Sequence, residues 1–264
     1  MSTCSWVGAN ALAEPARPAI FGTYLRLLPV AVADLRRVAA FYAFFSILLP
    51  AGILFFVTTT GAATAPVAQR YLAGGALAAS LAMGPALMLC VRFGIANEND
   101  EFDYWASLPV PRLSLILALV SAHLLFSLPG VLVLGVLALV FLGVTLPALL
   151  AALLLVPLAA LAMTGVGAVL GARAPNSIAG NLLGNLLLAT ALFLSPLMNR
   201  IDAYPGFLRP VAFAVPTTYV ADAFRHVLAA EPTYLPLAVD LAILAAIIAV
   251  GLTAVHRLLD WRGR

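Results

Sequence analysis

Charged residues divide the chain into long apolar stretches. No Asp, Glu or Arg lies between Arg37 and Arg70, and the core of that gap, residues 39–59, is long enough for one membrane-crossing helix; a crossing takes about 20 residues. A second apolar run covers 70–91, with Gly74, Gly75 and Gly84 allowing close helix packing. From Leu113 to Ala172 there is no formal charge. That length suits two helices, 113–142 and 147–170, joined by a turn at Gly143–Pro147. A polar turn holding Arg173 and Pro175 precedes a fifth run, 178–198, and a sixth covers 237–256 despite Asp240 near its start. The apolar pieces between 199 and 235 are too short to cross and are broken by prolines, which predicts short re-entrant or interfacial helices. Residues 20–37 mix apolar positions with Arg26, Asp34, Arg36 and Arg37, the pattern of an amphipathic helix lying in the membrane interface. The expected fold is therefore all-α: one polytopic domain over 1–264, with a cytoplasmic tail (1–37), six transmembrane helices and short re-entrant helices before the last.

Composition removes the soluble alternative. The chain is 64% hydrophobic and only 9% charged, with a mean hydropathy of +1.08; a soluble domain carries about a quarter of its residues charged. All 14 basic residues are Arg. A chain without Lys can form neither a P-loop, whose Lys reaches the nucleotide phosphates, nor a pyridoxal Schiff base, so no nucleotide hydrolysis and no cofactor chemistry are expected of it. The two cysteines and three histidines are scattered, leaving no metal cluster or catalytic triad visible along the sequence. A net charge of +3 without a basic stripe excludes nucleic acid as a partner.

Charge placement sets an expected orientation. With six spans and both ends cytoplasmic, ten Arg (17, 26, 36, 37, 92, 112, 173, 257, 262 and 264) lie inside and four (70, 200, 209 and 225) outside, as the positive-inside rule favours. Arg92 and Arg112 need no further role than this. Tyr24 and Trp261 suit interface anchors. Within the apolar runs, Asn181 and Asn185 lie one helical turn apart, either lining a path or bonding a neighbouring helix. His123 stands in a charge-free run, where helix–helix hydrogen bonding outweighs a proton relay to the distant Asp240. Gly165, Gly167, Gly171, Gly180 and Gly184 read as close-packing positions.

Two segments carry a resemblance. Residues 193–228, FLSPLMNRIDAYPGFLRPVAFAVPTTYVADAFRHVL, resemble the last external loop of the ABC transporter type-2 permeases: an apolar helix end, a proline break, a short helix, then a Pro-x-x-Tyr-x-x-acid-x-x-Arg run, here Pro216, Tyr219, Asp222 and Arg225. Residues 92–112 resemble the cytoplasmic loop on which the ATPase docks. The resemblance implies a membrane-spanning subunit of an ATP-driven exporter in the inner (plasma) membrane. It also implies a separate ATP-binding subunit at the cytoplasmic face, which binds ATP and Mg, and a second permease subunit, identical or paralogous. The coupling segment would comprise Glu98, Asp100, Glu101, Phe102, Asp103, Tyr104 and Trp105, acids for steering and aromatics for anchoring. Asp222 and Arg225, three apart, suit either an outer gate or a local ion pair. An apolar interior favours a hydrophobic or amphipathic cargo, such as a drug-like compound, lipid or glycan–lipid. The alternatives are a proton-coupled carrier, disfavoured by the scarcity of intramembrane acids, and a non-transporting assembly factor.

Overall fold

The computed structural model describes residues 20–36, 65–108, 110–228 and 233–258, together with Ala230 and isolated positions between 40 and 59. The proposed first span falls largely outside the described residues, as do Cys4, Trp261 and the Arg residues of both chain ends. The described part is helical throughout: α1 (Ile20–Arg36), α2 (Pro66–Glu98, with a π-helical turn at Ala82–Ala86), α3 (Glu101–Ser107), α4 (Arg112–Phe141), α5 (Leu146–Gly171), α6 (Ser177–Leu194), α7 (Leu208–Ala214), α8 (Pro216–Val227) and α9 (Leu237–Leu258). Five of these, α2, α4, α5, α6 and α9, are long and apolar enough to cross a membrane. Their bounds follow the charge-free runs closely, because a run without charges is what the bilayer core admits. The exception is α2, which continues past the apolar run to Glu98.

Local chemistry explains the ends. Pro66, Pro147 and Pro216 open α2, α5 and α8, where a missing amide costs nothing and the proline φ is already helical. The α4–α5 turn is closed by Gly143 at φ 63°. Asn176 caps α6 by accepting from the Ala179 amide at 2.8 Å. Pro85 interrupts the α2 ladder, and a π-helical turn absorbs the lost bond.

α2 is the axial helix. Its apolar window is 83% buried, against 22% for α6 and for α9, and its two halves contact α4, α5, α6 and α8. Its small residues make this possible. In a bilayer, burial of apolar surface does not drive helices together, so close backbone approach has to. The carbonyl of Cys90 sits where side chains of Gly171 and Gly180 would begin: a Cβ would fall 2.7 Å from it at Gly171 and 2.9 Å at Gly180. Gly165 and Gly251 make a similar approach between α5 and α9. Replacing Gly171 with Leu is expected to force α5 off α2 and cost about 1–3 kcal/mol or more, read as a lower melting midpoint of the detergent-solubilised protein.

α1 packs on α4. It runs straight through Pro29, buries Ala31 and Leu35, and is tied down by Tyr24 Oη donating to Ser121 Oγ at 3.1 Å and Ser114 Oγ donating to the Ile20 carbonyl at 2.8 Å.

Candidate functional site

The two motif-bearing segments lie at opposite ends of α2. At its C-terminal end, Asn97 Nδ2 donates to the Ala174 carbonyl at 2.7 Å, joining it to the α5–α6 turn. At its N-terminal end, Tyr71 Oη donates to the Asn199 carbonyl at 3.1 Å, joining it to the segment after α6.

At the first end, the structure sorts the seven residues expected to couple into two sets. Asp100, at φ 53°, reverses the chain between α2 and α3, a conformation that Asp tolerates better than most residues. Its carbonyl accepts from the Asp103 and Tyr104 amides at 3.2 Å, starting α3. Phe102 and Trp105 then face inward: Phe93, Phe102 and Trp105 stack edge to face with centroids 5.5 and 5.3 Å apart. Glu101 accepts from Arg92 Nη2 at 2.7 Å, while Arg92 Nε donates to Asp34 of α1 at 3.1 Å and the guanidinium lies 5.5 Å from the Trp105 ring centre. Arg92 thus does more than set topology; it joins α1, α2 and α3. Glu98 is used as well, accepting from the Ser177 amide at 2.8 Å at the start of α6, where a carboxylate meets the positive end of the helix dipole. That leaves Asp100, Asp103 and Tyr104 on the outer surface, the tyrosine 64% exposed.

At the opposite end, α8 carries Pro216, Tyr219, Asp222 and Arg225. Residues three apart on a helix step back by about 60°, so these four fan across half the circumference and each reaches a different neighbour. Pro216 opens the helix. Tyr219 Oη donates back to the Phe213 carbonyl at 2.5 Å, and Thr218 Oγ1 joins the Val215 amide on that of Ala212 at 2.5 Å, so side chains of α8 bind the last carbonyls of α7. Asp222 accepts from the Tyr234 amide at 3.1 and 2.9 Å and from the Leu235 amide at 3.0 Å, just ahead of α9. Arg225, wholly buried, donates through Nη2 to the Pro196 and Leu197 carbonyls at 2.5 and 2.9 Å and covers the Tyr71 ring at 3.6 Å. Of the two readings of Asp222 and Arg225, gate or local ion pair, the ion pair is therefore not formed. Each side chain has better-placed backbone partners, the Tyr234 and Leu235 amides for Asp222 and the Pro196 and Leu197 carbonyls for Arg225. Burial pulls the Arg225 guanidinium below its ordinary pKa, and the neighbouring Tyr71, Tyr234 and Asp222 act in the opposite direction.

Tyr71 and Tyr234 complete this clasp. Their hydroxyls are 2.5 Å apart, and Tyr234 Oη accepts from the Ile201 amide at 3.1 Å. Neither stood out in the sequence. Tyr71 beside Arg70 at the edge of an apolar run was the available signal, since tyrosine favours such edges.

Asn181 and Asn185 bond each other rather than a neighbouring helix. Asn185 Nδ2 donates to the Asn181 side-chain oxygen at 2.6 Å and its carbonyl at 2.9 Å, and both residues are exposed on the outward face of α6. His123 Nδ1 is bonded within α4 to the Leu119 carbonyl at 2.8 Å.

No curated protein matches the chain. The family model for the ABC-2 type transporter does match, over residues 30–229. That span takes in both motif-bearing segments and four of the five long apolar helices. The chain is therefore a member of the ABC-2 type transporter family, the membrane-embedded permease component of an ABC transporter.

Proposed function

We propose that this permease exports a hydrophobic or amphipathic compound across the plasma membrane, driven by a separate ATP-binding subunit docked against α3. The observation that carries the docking is the mounting of α3. A short helix with an exposed acid and an exposed tyrosine, preceded by the exposed Asp100, is fixed through Arg92, Phe102 and Trp105 to α1 and α2. Force applied there passes directly into the axial helix, which suits a coupling element. In this reading both termini are cytoplasmic, α1 lies along the inner interface, and α7 and α8 dip in from outside as an external gate. The ATP-binding subunit holds ATP and Mg; this chain holds neither.

A second permease subunit supplies the other half of the path. The exposed Asn181–Asn185 pair supports this, because a polar pair turned to lipid is unfavourable while one lining a path or facing a partner is not.

The test is copurification in mild detergent of this chain carrying single cysteines at 103 and 104. An ATPase subunit is expected to come along, to cross-link to both positions, and to hydrolyse ATP faster with apolar cargo candidates. Purification without any ATPase, or cross-links only to positions near α8, overturns the reading.

A further inference from the structure

Asp222, His226 and Asp240 come together at the clasp end of the bundle, with one ligand atom from each within 4.8 Å of the others. We propose that they bind a divalent transition-metal ion of the zinc type, which joins α8 to the outer end of α9.

Asp222 and His226 are four residues apart and so share one face of α8. Asp240 comes from the first turn of α9. The Asp222 carboxylate is oriented by the Tyr234 and Leu235 amides, two bonds falling on Oδ2 and one on Oδ1; Oδ1 keeps an open lone pair. Asp240 supplies the independent sign of a ligand. Its side chain is 0% exposed, no N–H or hydroxyl donor reaches either carboxylate oxygen, the Asp222 carboxyl lies beside it, and Oδ2 points to His226 Nδ1 at 3.7 Å. A buried carboxylate without donors is costly, and a second carboxylate beside it raises the cost. Arg225 is bonded to the Pro196 and Leu197 carbonyls and the Tyr71 ring rather than to either carboxylate, so its charge reaches Asp222 only through space. Two carboxylates, a neutral imidazole and a dication sum to zero charge.

The donor set points to the metal class. An imidazole among carboxylates suits zinc and its neighbours, whereas magnesium and calcium take oxygen alone. Metal–ligand distances near 2.1 Å put tetrahedral ligands about 3.4 Å apart, so atoms now within 4.8 Å of one another draw closer on loading, the 3.7 Å His226–Asp240 pair only slightly. In the metal-free geometry His226 Nδ1 bonds the Asp222 carbonyl at 3.1 Å. For Nδ1 to ligate, its proton moves to Nε2 and this bond is given up. The His226 side chain is 22% exposed, which opens a route for the ion and a place for a water ligand.

The experiment strips the purified full-length protein with chelator in detergent and then titrates it with zinc chloride. Bound metal is counted by elemental analysis and the melting midpoint followed by tryptophan fluorescence. One zinc per chain and a zinc-dependent rise in melting midpoint are expected, with no response to magnesium or calcium. Asp240→Asn and His226→Gln preserve shape and leave the Asp222 bonds to Tyr234 and Leu235 intact. Each is expected to weaken zinc binding at least about 100-fold, the upper range for losing even an outer-shell partner. Sub-stoichiometric zinc, or unchanged affinity in both variants, overturns the proposal. So does an Asp240→Asn protein that melts higher than wild type while the wild type ignores zinc, which would identify a proton shared by the two carboxyl groups.

Discussion

Replacing Arg225 with alanine is expected to lower the stability of the permease by about 3–5 kcal/mol, the range found when one partner of a buried charged network is removed. The guanidinium is wholly buried and is the donor for two backbone carbonyls that follow α6. Deleting it leaves the Pro196 and Leu197 carbonyls without that donor, uncovers the Tyr71 ring and opens a cavity, and each of these is unfavourable. Gly75 lies against the Leu197 carbonyl so closely that no side chain fits between them, so α2 has no room to relax inward. Arg225→Lys is expected to recover only part of the loss, since an ammonium lacks the planar fork that reaches two carbonyls while stacking on a ring. The checks are the yield of monodisperse protein and its melting midpoint in detergent. A variant that melts like wild type would show that the clasp does not hold the end of α6.

Asp103→Ala combined with Tyr104→Ala is expected to reduce ATP-dependent transport at least about tenfold, the effect of removing roughly 1.4 kcal/mol of docking energy, without lowering the melting midpoint. Both side chains are on the outer surface of α3, and an exposed tyrosine is the residue type that most often carries interface energy. Trp105→Ala is expected to behave in the opposite sense. It removes packing against Phe102 and the face presented to Arg92, and for a half-buried ring the cost is about 1–3 kcal/mol of stability. Transport per folded molecule, measured in proteoliposomes with the ATPase subunit added, separates the two. A Tyr104/Asp103 variant with full transport would remove α3 from the coupling path.

The contrast between Trp105 and Tyr104 marks how far a linear reading goes. Both are aromatic, adjacent and preceded by acids, and nothing in their order separates an anchor for a partner from an anchor for the fold. Helical periodicity over seven residues is too short to tell the faces apart. Arg92 illustrates the same point. Charge placement explains why an arginine stands near the end of a span, but its bonds to Asp34, 58 positions away, and to Glu101 depend on how α1 returns to the bundle.

The five described spans, their turns and the polar segments between them were determined by the sequence alone. Charge-free length is a local property, and the bilayer rejects charge wherever a run is interrupted. The proline openings and the Asn176 cap are local for the same reason. Only the tertiary structure decided what the polar residues at the two ends do. The partners of Arg225 come from 28, 29 and 154 positions away, and Asp222, His226 and Asp240 meet across the break between α8 and α9. Side chains that suited a mutual ion pair found backbone partners from other segments instead, and carboxylates far apart in the sequence were brought together by helix packing. Neither outcome is encoded in nearest neighbours. Each follows from where desolvated polar groups found their donors and acceptors once the apolar segments had packed.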